Sequence, residues 1–286
     1  MKTIAITGSS GFVGTNIKSF FSKKNFEVIS INRKDLLDNS KLESIIEKAD
    51  VLINLAGANI INRWTDSYKK ELYDSRINTT KSLINAMAKV KNKPELFIST
   101  SAVGIYNNKA CYDETSNEYS NDFLSSLCID WEKEALKAKD LEIRTAIFRF
   151  GIVLGDGGAL EKMKLPFKLG VGGTIGSGKQ HFSFIHIDDL IGAYDFLINN
   201  QNVEGIFNLT TNSPTTNKGL TKALGTILNR PTIFPVPEFV LNLIFSEGAK
   251  VLTDGQCAKP KRLLESGFKF KHTTIEQVIV DLLGKK

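Results

Sequence analysis

The stretch Met1–Gly14, MKTIAITGSSGFVG, decides the fold of this chain. Its short apolar run, Ile4-Ala5-Ile6, is typical of a buried parallel strand, and the run breaks at Gly8. From Phe12 onward, apolar residues recur at helical spacing. A strand, a glycine turn and a helix in this order form the first half of a dinucleotide-binding βαβ unit.

Gly8, Gly11 and Gly14 form the pattern GxxGxxG, and each position requires glycine for a different physical reason. Gly8 allows a sharp turn, Gly11 lets backbone N–H groups approach a pyrophosphate, and Gly14 lets the helix pack closely against the strand. The helix N-terminus then offers N–H donors and its positive dipole end to phosphate. An ordinary tight turn is the alternative, but the flanking strand and helix favour a nucleotide site. We therefore predict an α/β fold with a doubly wound parallel sheet of the Rossmann type.

Length and composition indicate a globular protein with a sizeable core. The chain has 286 residues, of which 42% are hydrophobic, enough for one large or two modest domains. No apolar run approaches a membrane span, and the N-terminal stretch lacks a signal-peptide layout, so we expect a cytoplasmic protein without a membrane partner. The formal charge of +6 comes from scattered lysine pairs, which predicts no nucleic-acid partner.

The three cysteines, Cys111, Cys128 and Cys257, lie far apart in the sequence. Their number is odd and they form no CxxC pair. The sequence therefore predicts neither a disulfide framework nor a zinc site, and we expect no bound metal.

Glu27–Ile31, EVISI, is predicted to be the second strand, whose end meets the adenosine ribose in this kind of unit. An acidic side chain there holds the 2′-hydroxyl of NAD, whereas a basic one suits the 2′-phosphate of NADP. Asn32 and Arg33 come first and Asp35 only later, which favours NADP(H), with Arg33 as the phosphate partner because its fork matches phosphate geometry. The alternative is that Arg33 is a solvated loop cation.

Three further strands are predicted at Asp50–Gly57, Glu95–Thr100 and Ile143–Phe150. The first ends in small residues, which leave room for a cofactor in the crevice at the end of the sheet. The second runs into Ser101, whose hydroxyl is well placed for substrate or nicotinamide. The alternatives are a plain strand exit for the first and a hydroxyl that bonds backbone for the second.

Asp66–Val90 and Asn121–Lys139 are predicted helices. Arg76 falls on the apolar stripe of the first helix, and a buried cation is costly unless it is paired. Arg76 therefore either meets a carboxylate or a phosphate, or the stripe is rotated and Arg76 is solvated. On the second helix, Leu124 and Cys128 lie one turn apart on one face.

The character of the sequence changes after Gly155. Residues 170–179, GVGGTIGSGK, contain the spelling GxxxxGK, but Gln180 and a strand-like alternation follow where a P-loop requires Ser or Thr and a helix. We interpret this stretch as a loop that borders the substrate cleft. Asp188 or Asp189 is predicted to cap the next helix.

The chain is predicted to divide into two domains. A last sheet strand at Gly205–Leu209 closes a domain of residues 1–210, which carries a substrate-side insertion at about 156–185. The remainder, 211–286, is rich in proline and short helical pieces and is predicted to be a smaller C-terminal substrate lobe. Residues 107–120 are polar and are predicted to be a loop.

Motifs over nearly the whole chain resemble those of one family. The chain resembles the extended short-chain dehydrogenase/reductases of the NAD(P)-dependent epimerase/dehydratase class, in particular the atypical epimerase family proteins with a C-terminal domain of unknown function (DUF1731), here at about 235–283. The motifs, in chain order, are ITGSSGFVG, INLAGANI, RW followed by SRINTT, STSAVGIY, DE then FLSSLCIDWE, RFGIVLG, GGAL with KLPFKLGVGG, GSGKQHFSFIHIDD and KPKRLLESGFKF.

The resemblance, together with the predicted strand ends, implies a set of cofactor-binding residues. The turn after the first strand would bind the pyrophosphate, Arg33 would meet the 2′-phosphate, and the end of the third strand would flank adenosine and diphosphate. The candidates are Gly8, Ser9, Ser10, Gly11, Phe12, Val13, Gly14, Asn32, Arg33, Leu55, Ala56, Gly57, Thr100, Phe150, Gly151 and Ile152.

The sequence departs from the family pattern at the acid/base pair. Leu124 stands where the YxxxK pattern has its tyrosine, and Cys128 stands where it has its lysine. Leu124 can transfer no proton, and Cys128 supplies no fixed positive charge, although a thiol with a tuned pKa can do acid/base work. Losing a positioned acid/base costs about 10²–10⁴-fold in rate.

Ser101 matches the family's catalytic serine position, so the candidate catalytic residues are Ser101, Arg76 and Cys128. The substrate-side candidates are Tyr106, Gln180 and His186. For Cys128 the alternative is a small buried hydrophobe, and for His186 it is a packed strand histidine.

Two functions remain open. The first is an NADP(H)-dependent oxidoreductase or epimerase-like enzyme, acting on a small polar substrate as a monomer or homodimer. The second is a non-catalytic NADP(H)-binding sensor or scaffold, which the missing YxxxK pair favours.

Overall fold

A computed structural model describes residues 1–284 of the chain. The strands are β1 (Thr3–Thr7), β2 (Glu27–Ile31), β3 (Val51–Asn54), β4 (Leu96–Ala102), β5 (Cys111–Tyr112), β6 (Arg144–Phe150), β7 (Ile152–Gly155), β8 (His181–Phe182), β9 (Phe184–His186), β10 (Gly205–Leu209), β11 (Thr215–Thr216) and β12 (Cys257–Ala258). The helices are α1 (Phe12–Lys23), α2 (Asn39–Ile46), α3 (Asp66–Lys89), α4 (Phe123–Leu136), α5 (Gly158–Lys168), α6 (Ile187–Asn199), α7 (Asn217–Leu228), α8 (Glu238–Phe245), α9 (Lys250–Thr253), α10 (Lys261–Glu265) and α11 (Ile275–Leu283). Within residues 1–284, none of these helices combines the length and the apolar character needed to cross a membrane.

Six strands form the central sheet in the order β10-β6-β4-β3-β1-β2, and every neighbouring pair is parallel. β1 lies between β2 and β3, so the direction in which strands are added reverses beside it. Open α/β sheets bind ligands in the crevice at such a switch point, outside the carboxyl ends of the strands. The predicted doubly wound Rossmann sheet is confirmed.

Alternation along β1 builds a hydrophobic layer on each face of the sheet. Ile4 and Ile6 pack with α1 and α6, whereas Ala5 packs with α2, α3 and α4 on the opposite face. All three side chains are fully buried. A parallel sheet covered on both faces requires such nearly continuous apolar strands.

The C-terminal residues share a third core with the segment after β7. Phe167 on α5 and Phe184 on β9 pack with Leu224 on α7 and Val278 on α11. The short strand β8 also pairs with β11. The segment at about 156–185 therefore packs with the chain beyond residue 210 to form a lobe at one side of the sheet.

Two local predictions were wrong around the cysteines. Residues 107–120 are not a loop throughout, because they contain β5, which pairs in parallel with β12. Cys111 on β5 and Cys257 on β12 form a disulfide, whereas the sequence predicts none. The two cysteines are 146 positions apart, so their pairing depends on tertiary contact that spacing does not reveal.

The predicted N-cap of α6 was also wrong. His186 occupies the N-cap, and its Nδ1 accepts a hydrogen bond from the backbone N–H of Asp188 at 3.1 Å. The carboxylate of Asp189 is buried instead, where it accepts hydrogen bonds from the backbone N–H groups of Lys271 at 2.7 Å and His272 at 2.9 Å. Asp189 thereby fastens the segment before α11 to α6.

Candidate functional site

A cavity of about 1090 Å³ opens at the carboxyl edge of the sheet, beside the ends of β1, β3, β4 and β6. Residues of the central sheet and of the chain beyond residue 210 both contribute to its wall. The predicted site residues that line it are Gly8, Gly11, Phe12, Val13, Gly14, Leu55, Gly57, Arg76, Thr100, Ser101, Cys128, Phe150, Gly151, Ile152 and Gln180.

The turn after β1 is shaped for close approach of a ligand to the backbone. Gly8 has a φ of +67°, and a Cβ there would lie 2.7 Å from the carbonyl oxygen of Leu55. A Cβ on Gly14 would overlap the carbonyl oxygen of Gly8. Gly11 occupies the N-cap of α1 and has no side chain to cap it, so the first N–H groups of the helix are left for an anion such as a pyrophosphate.

Ser9, Ser10 and Ala56 lie beside this turn but outside the cavity wall. Ser10 is exposed, and the backbone N–H of Ala56 donates to the Oγ1 of Thr7 at 3.2 Å. Thr7 in turn donates to the Oδ1 of Asn54 at 2.7 Å. These buried hydrogen bonds fix the ends of β1 and β3 relative to each other.

The turn after β2 contains the three residues on which the NADP(H) prediction depends, Asn32, Arg33 and Asp35. The Oδ1 of Asn32 accepts hydrogen bonds from the backbone N–H groups of Lys34 at 2.8 Å and Asp35 at 3.2 Å. The Asp35 carboxylate accepts in turn from the N–H of Asn32 at 2.9 Å and is folded back onto its own turn. Arg33 is exposed, and the parallel register of β1 with β2 places it beside the glycine turn. Among residues 1–284 the Asp35 carboxylate is thus engaged by its own turn, and Arg33 forms no ion pair.

Ser101 is held by a buried ion pair behind the cavity wall. Its hydroxyl donates to the Oε1 of Glu132 at 2.6 Å. Arg149 donates to both oxygens of Glu132, from Nε and Nη2, at 2.7 Å each. Burial alone would lower the pKa of Arg149, but the hydrogen bonds and charge of Glu132 outweigh it and hold that pKa above its usual value. The paired carboxylate only accepts hydrogen bonds, so the Ser101 hydroxyl must be the donor. The lone pairs of that hydroxyl oxygen therefore point away from Glu132.

Tyr106 belongs to the same network and does not line the cavity, so its assignment to the substrate side was wrong. The side chain is fully buried. Its hydroxyl accepts from the Nη1 of Arg149 at 2.7 Å and lies 3.1 Å from the Oδ1 of Asn208. Burial raises the pKa of Tyr106, and the charge of Arg149 offsets only part of that rise.

Arg76 faces the cavity and is half-buried, so it is not the solvated side chain of a rotated stripe. Its Nη1 donates to the carbonyl oxygen of Leu72 at 3.1 Å and its Nη2 to that of Ala58 at 3.0 Å. The guanidinium also lies 5.3 Å from the ring of Trp131, and within residues 1–284 it forms no ion pair. A Cβ on Gly57 would meet it at 2.9 Å, so the glycine leaves room for it. Burial lowers the pKa of Arg76.

The two residues at the YxxxK positions both line the cavity. Leu124 packs so closely on Gly104 that a Cβ there would lie 2.5 Å from the leucine Cδ2. Burial, and to a smaller extent the charge of Glu132, raises the pKa of Cys128 to about 12. The Cys128 thiol therefore stays protonated near neutral pH and cannot serve as a base, which matches the alternative of a small buried side chain.

Of the remaining substrate-side candidates, the structure brings one to the cavity. Gln180 lines it, and its Nε2 donates to the carbonyl oxygen of Ile175 at 3.0 Å. His186 does not line it, so that assignment was wrong. Its ring is buried and stacks on His272 with centroids 3.8 Å apart.

Several polar residues of the cavity wall were not predicted from the sequence. For His181 a sequence signal was present. Side chains alternate between the two faces of a strand, so in HFSFIH (residues 181–186) His186 shares a face with the two phenylalanines, and His181 lies on the other face. No comparable signal marks residues whose place depends on distant packing. These are Lys69 on α3, Glu247 before α9, Lys250 on α9 and Asp254 after it.

Comparison with known proteins places the chain among relatives that match along its full length. The model of the NAD dependent epimerase/dehydratase family matches residues 4–210, and that of a domain of unknown function, DUF1731, matches residues 236–282. Epimerase family protein YfhF of Bacillus subtilis is 34% identical over 298 aligned positions, with 99% of this chain and 98% of that protein covered. The mouse epimerase family protein SDR39U1 is 35% identical, with 98% and 99% covered.

A solved structure gives the same result in three dimensions. The human epimerase family protein SDR39U1 (isoform 2), crystallised with NADPH, superposes with a TM-score of 0.92 at 31% identity. The superposition covers 99% of this chain and 100% of that chain. The family resemblance inferred from the motifs is thereby confirmed.

Proposed function

This chain belongs to the NAD dependent epimerase/dehydratase family, and we propose that it is an NADP(H)-binding oxidoreductase or epimerase-like enzyme acting on a small polar substrate. The observation that carries the proposal is the continuity of the glycine turn with the large cavity. The backbone that would bind phosphate and the space that would hold a second molecule belong to one continuous cavity. We further propose that residues 1–210 hold the cofactor and that 211–286, with the insertion, close the substrate side.

The residues of the turn fit a dinucleotide diphosphate. The backbone of residues 8–14 would hold the pyrophosphate, Arg33 the 2′-phosphate, and residues 55–57 would flank adenosine and diphosphate. The NADPH found with the human relative supports NADP(H) over NAD. Once bound, the cofactor would supply hydride transfer, and the chain would supply orientation and electrostatics.

The wall beyond the turn supports a polar substrate. Lys69, Arg76 and Lys250 bring cations to the cavity, and Glu247, which pairs with Lys69, brings a carboxylate together with Asp122 and Asp254, so the wall suits a strongly polar molecule. Because its proton is committed to Glu132, Ser101 offers lone pairs, so it would orient a hydroxyl or N–H group of the substrate.

A second candidate function is non-catalytic NADP(H) binding, as in a sensor or scaffold. Within residues 1–284, no tyrosine lines the cavity, and Leu124 and Cys128 occupy the positions of the usual acid/base pair. The free thiol next to the cavity is protonated near neutral pH. The cofactor half of the site is thus better supported than the proton-transfer half.

Titration of the protein with NADPH and NADH, followed by fluorescence, tests the cofactor half. We expect tighter binding of NADPH, and we expect Arg33→Ala to weaken NADPH binding about tenfold or more while leaving NADH binding unchanged, since only NADPH carries the 2′-phosphate. Lys23→Ala, which removes an exposed cation at the far end of α1, is the control. Equal affinities for the two cofactors would contradict the NADP(H) assignment.

A carbonyl and nucleotide-sugar panel with NADPH then separates the two functions. Turnover that is lost in Arg76→Ala and in Ser101→Ala would establish the enzyme and exclude the scaffold. Tight NADPH binding without turnover across the panel would favour the non-catalytic function.

A further inference from the structure

Three potential metal ligands meet beside the cavity in a place that the proposed function does not use. Cys111 lies on β5, His181 on β8 and Cys257 on β12. One ligand atom from each, two sulfurs and a ring nitrogen, lies within 4.8 Å of the other two. In the disulfide form the sulfurs are bonded to each other, but the histidine remains next to them.

Backbone hydrogen bonds hold the two cysteines together independently of the disulfide. Cys111 and Cys257 are direct partners in the parallel pair β5–β12, with Cα atoms 4.4 Å apart. The N–H of Lys259 donates to the carbonyl oxygen of Tyr112 at 2.8 Å. Glu114 ties the same region down, since its carboxylate accepts from the backbone N–H of Arg262 at 3.2 Å. After reduction the two thiols therefore stay side by side.

His181 is also fixed in place, and it carries an unmet hydrogen-bonding group. It pairs with Thr216 across β8 and β11, and Gly255 packs so tightly on its backbone that no Cβ could be accommodated there. The Nδ1 of His181 is buried and has no hydrogen-bond partner within the described chain. A buried polar atom without a protein partner is rare in native proteins and is satisfied by a bound water, a ligand or an ion.

We propose that the reduced protein binds one zinc ion through Cys111, Cys257 and His181, and that forming the disulfide releases it. Two thiolates and an imidazole are a ligand set that zinc prefers, and three protein ligands leave a fourth position open. An external dithiol reduces the Cys111–Cys257 disulfide by thiol–disulfide exchange, which leaves two cysteine thiols and converts the dithiol into its own disulfide. Zinc binding then displaces the two thiol protons. A peroxide that takes two electrons from the two thiolates forms the disulfide again, is itself reduced to water, and frees the ion, so the oxidised and the zinc-bound states exclude each other.

A second cluster, His186, His272 and Asp281, has similar spacing but unsuitable chemistry. The Nδ1 of His186 already accepts the backbone N–H of Asp188, so its proton resides on Nε2, which lies 3.3 Å from a carboxylate oxygen of Asp281. A metal at Nε2 would require an imidazolate. The Nε2 of His186 and the Nδ1 of His181 both lack a hydrogen-bond partner within residues 1–284, but no backbone N–H donates to the His181 ring there, so one of its nitrogens can bind a metal while the other carries the proton.

The proposed ion sits where two parts of the cavity wall are joined. The segment of β5 continues to Ser120 and Asp122, and the segment of β12 follows Asp254 and Gln256, all of which line the cavity. His181 itself belongs to that wall. Either cross-link, disulfide or zinc, would hold the two segments together.

Cobalt is a direct probe of the site, because thiolate–Co²⁺ charge transfer and tetrahedral d–d bands are visible by absorption. The full chain would be reduced with a phosphine, the phosphine removed, and Co²⁺ added anaerobically, followed by competition with Zn²⁺. We expect one equivalent of Co²⁺ with thiolate bands in the reduced protein, displaced by Zn²⁺, and no such bands in the oxidised protein.

Variants identify the ligands. Cys111→Ser and Cys257→Ser should abolish the thiolate bands, and His181→Asn should weaken Co²⁺ binding about tenfold or more and alter the d–d bands. Cys128→Ser and His272→Asn are the matched controls and should bind Co²⁺ like wild type. Circular dichroism verifies folding, and the comparison of reduced with oxidised wild type needs no variant.

The absence of thiolate bands in reduced wild type would overturn the proposal, as would bands that survive in the two cysteine variants. Binding that is lost in His272→Asn but not in His181→Asn would assign the metal to the other cluster and would equally overturn it. None of these readouts depends on NADPH binding or turnover, so the proposed function and this inference are tested separately.

Discussion

At the scale of single residues, Glu132 determines what Ser101 can do. An ionised carboxylate accepts hydrogen bonds and donates none, so the 2.6 Å contact fixes the direction of the Ser101 proton. Arg149 in turn donates two hydrogen bonds of 2.7 Å to the Glu132 carboxylate. The chemistry of a residue on the cavity wall is thus set by two residues behind it.

Glu132→Ala should destabilise the protein strongly. The substitution leaves the buried guanidinium of Arg149 without its counter-charge, and removing one partner of a buried ion pair costs about 3–5 kcal/mol. Urea denaturation measures the change in the free energy of unfolding. Glu95→Ala, which removes an exposed carboxylate paired with Lys2, is the control and should cost less than about 1 kcal/mol. Equal effects of the two substitutions would show that the buried pair does not matter for stability.

Cys128 should make the protein less stable at alkaline pH. Folding raises the pKa of this thiol from 9.0 to about 12, so above pH 9.0 the unfolded chain loses the proton while the folded chain keeps it. The unfolded state then binds fewer protons, and the free energy of unfolding falls as the pH rises. From pH 9 to pH 10, wild type should lose about 1 kcal/mol more than Cys128→Ala. Parallel curves for the two proteins would mean that the thiol already ionises in the fold.

At the scale of the element, the turn between β1 and α1 contains three glycines, and each is needed for a different reason. The positive φ of Gly8 makes the turn, Gly11 leaves the helix N-terminus uncapped, and Gly14 lets α1 begin against the turn itself. The sequence predicts that Gly14 allows the helix to approach the strand. The structure specifies the contact, which is with the carbonyl oxygen of Gly8.

Gly14→Ala should disrupt this element. Its Cβ would overlap the carbonyl oxygen of Gly8, so α1 must shift away from the turn, with loss of stability and of NADPH binding. Gly192→Ala is the matched control, because its Cβ would meet Phe268 at an ordinary 3.5 Å inside α6. That control should be neutral or stabilising by up to about 1 kcal/mol. Thermal unfolding and NADPH titration compare the two, and wild-type behaviour of Gly14→Ala would contradict the packing argument.

At the scale of the whole molecule, the chain beyond residue 210 is joined to the sheet domain at several points. The Cys111–Cys257 disulfide, the hydrogen bonds of Asp189 and the shared apolar core around Phe184 all cross between them. The wall of the large cavity is built from both sides of this junction. The junction therefore determines the shape of the proposed substrate site.

Reduction of the disulfide should destabilise the whole fold when metal is absent. The bond closes a loop of 146 positions, and the loss of chain entropy in the unfolded state stabilises such a protein by about 5 kcal/mol in the simplest treatment. Denaturation with and without a phosphine reductant, in the presence of a chelator, measures the difference. Unchanged stability would show that the unfolded chain is not constrained by this bond.

The sequence by itself determined the fold class and the glycine turn that lines the cavity. Buried parallel strands, glycine turns and helix periods are local patterns, so Ile4–Ile6, Gly8 and the helix from Phe12 could be placed from their neighbours alone. The motifs also identified the family. These features depend on contacts between residues close in the chain.

Only the tertiary structure decided which other residues line the cavity and which lie away from it. In the structure, Tyr106 bonds to Arg149, His186 is the N-cap of α6, and Cys111 pairs with Cys257. Each of these contacts depends on which distant segment packs against the residue. Lys250 and Asp254 line the cavity for the same reason. Periodicity fixes which face a residue occupies within its own element, but not which element that face will meet.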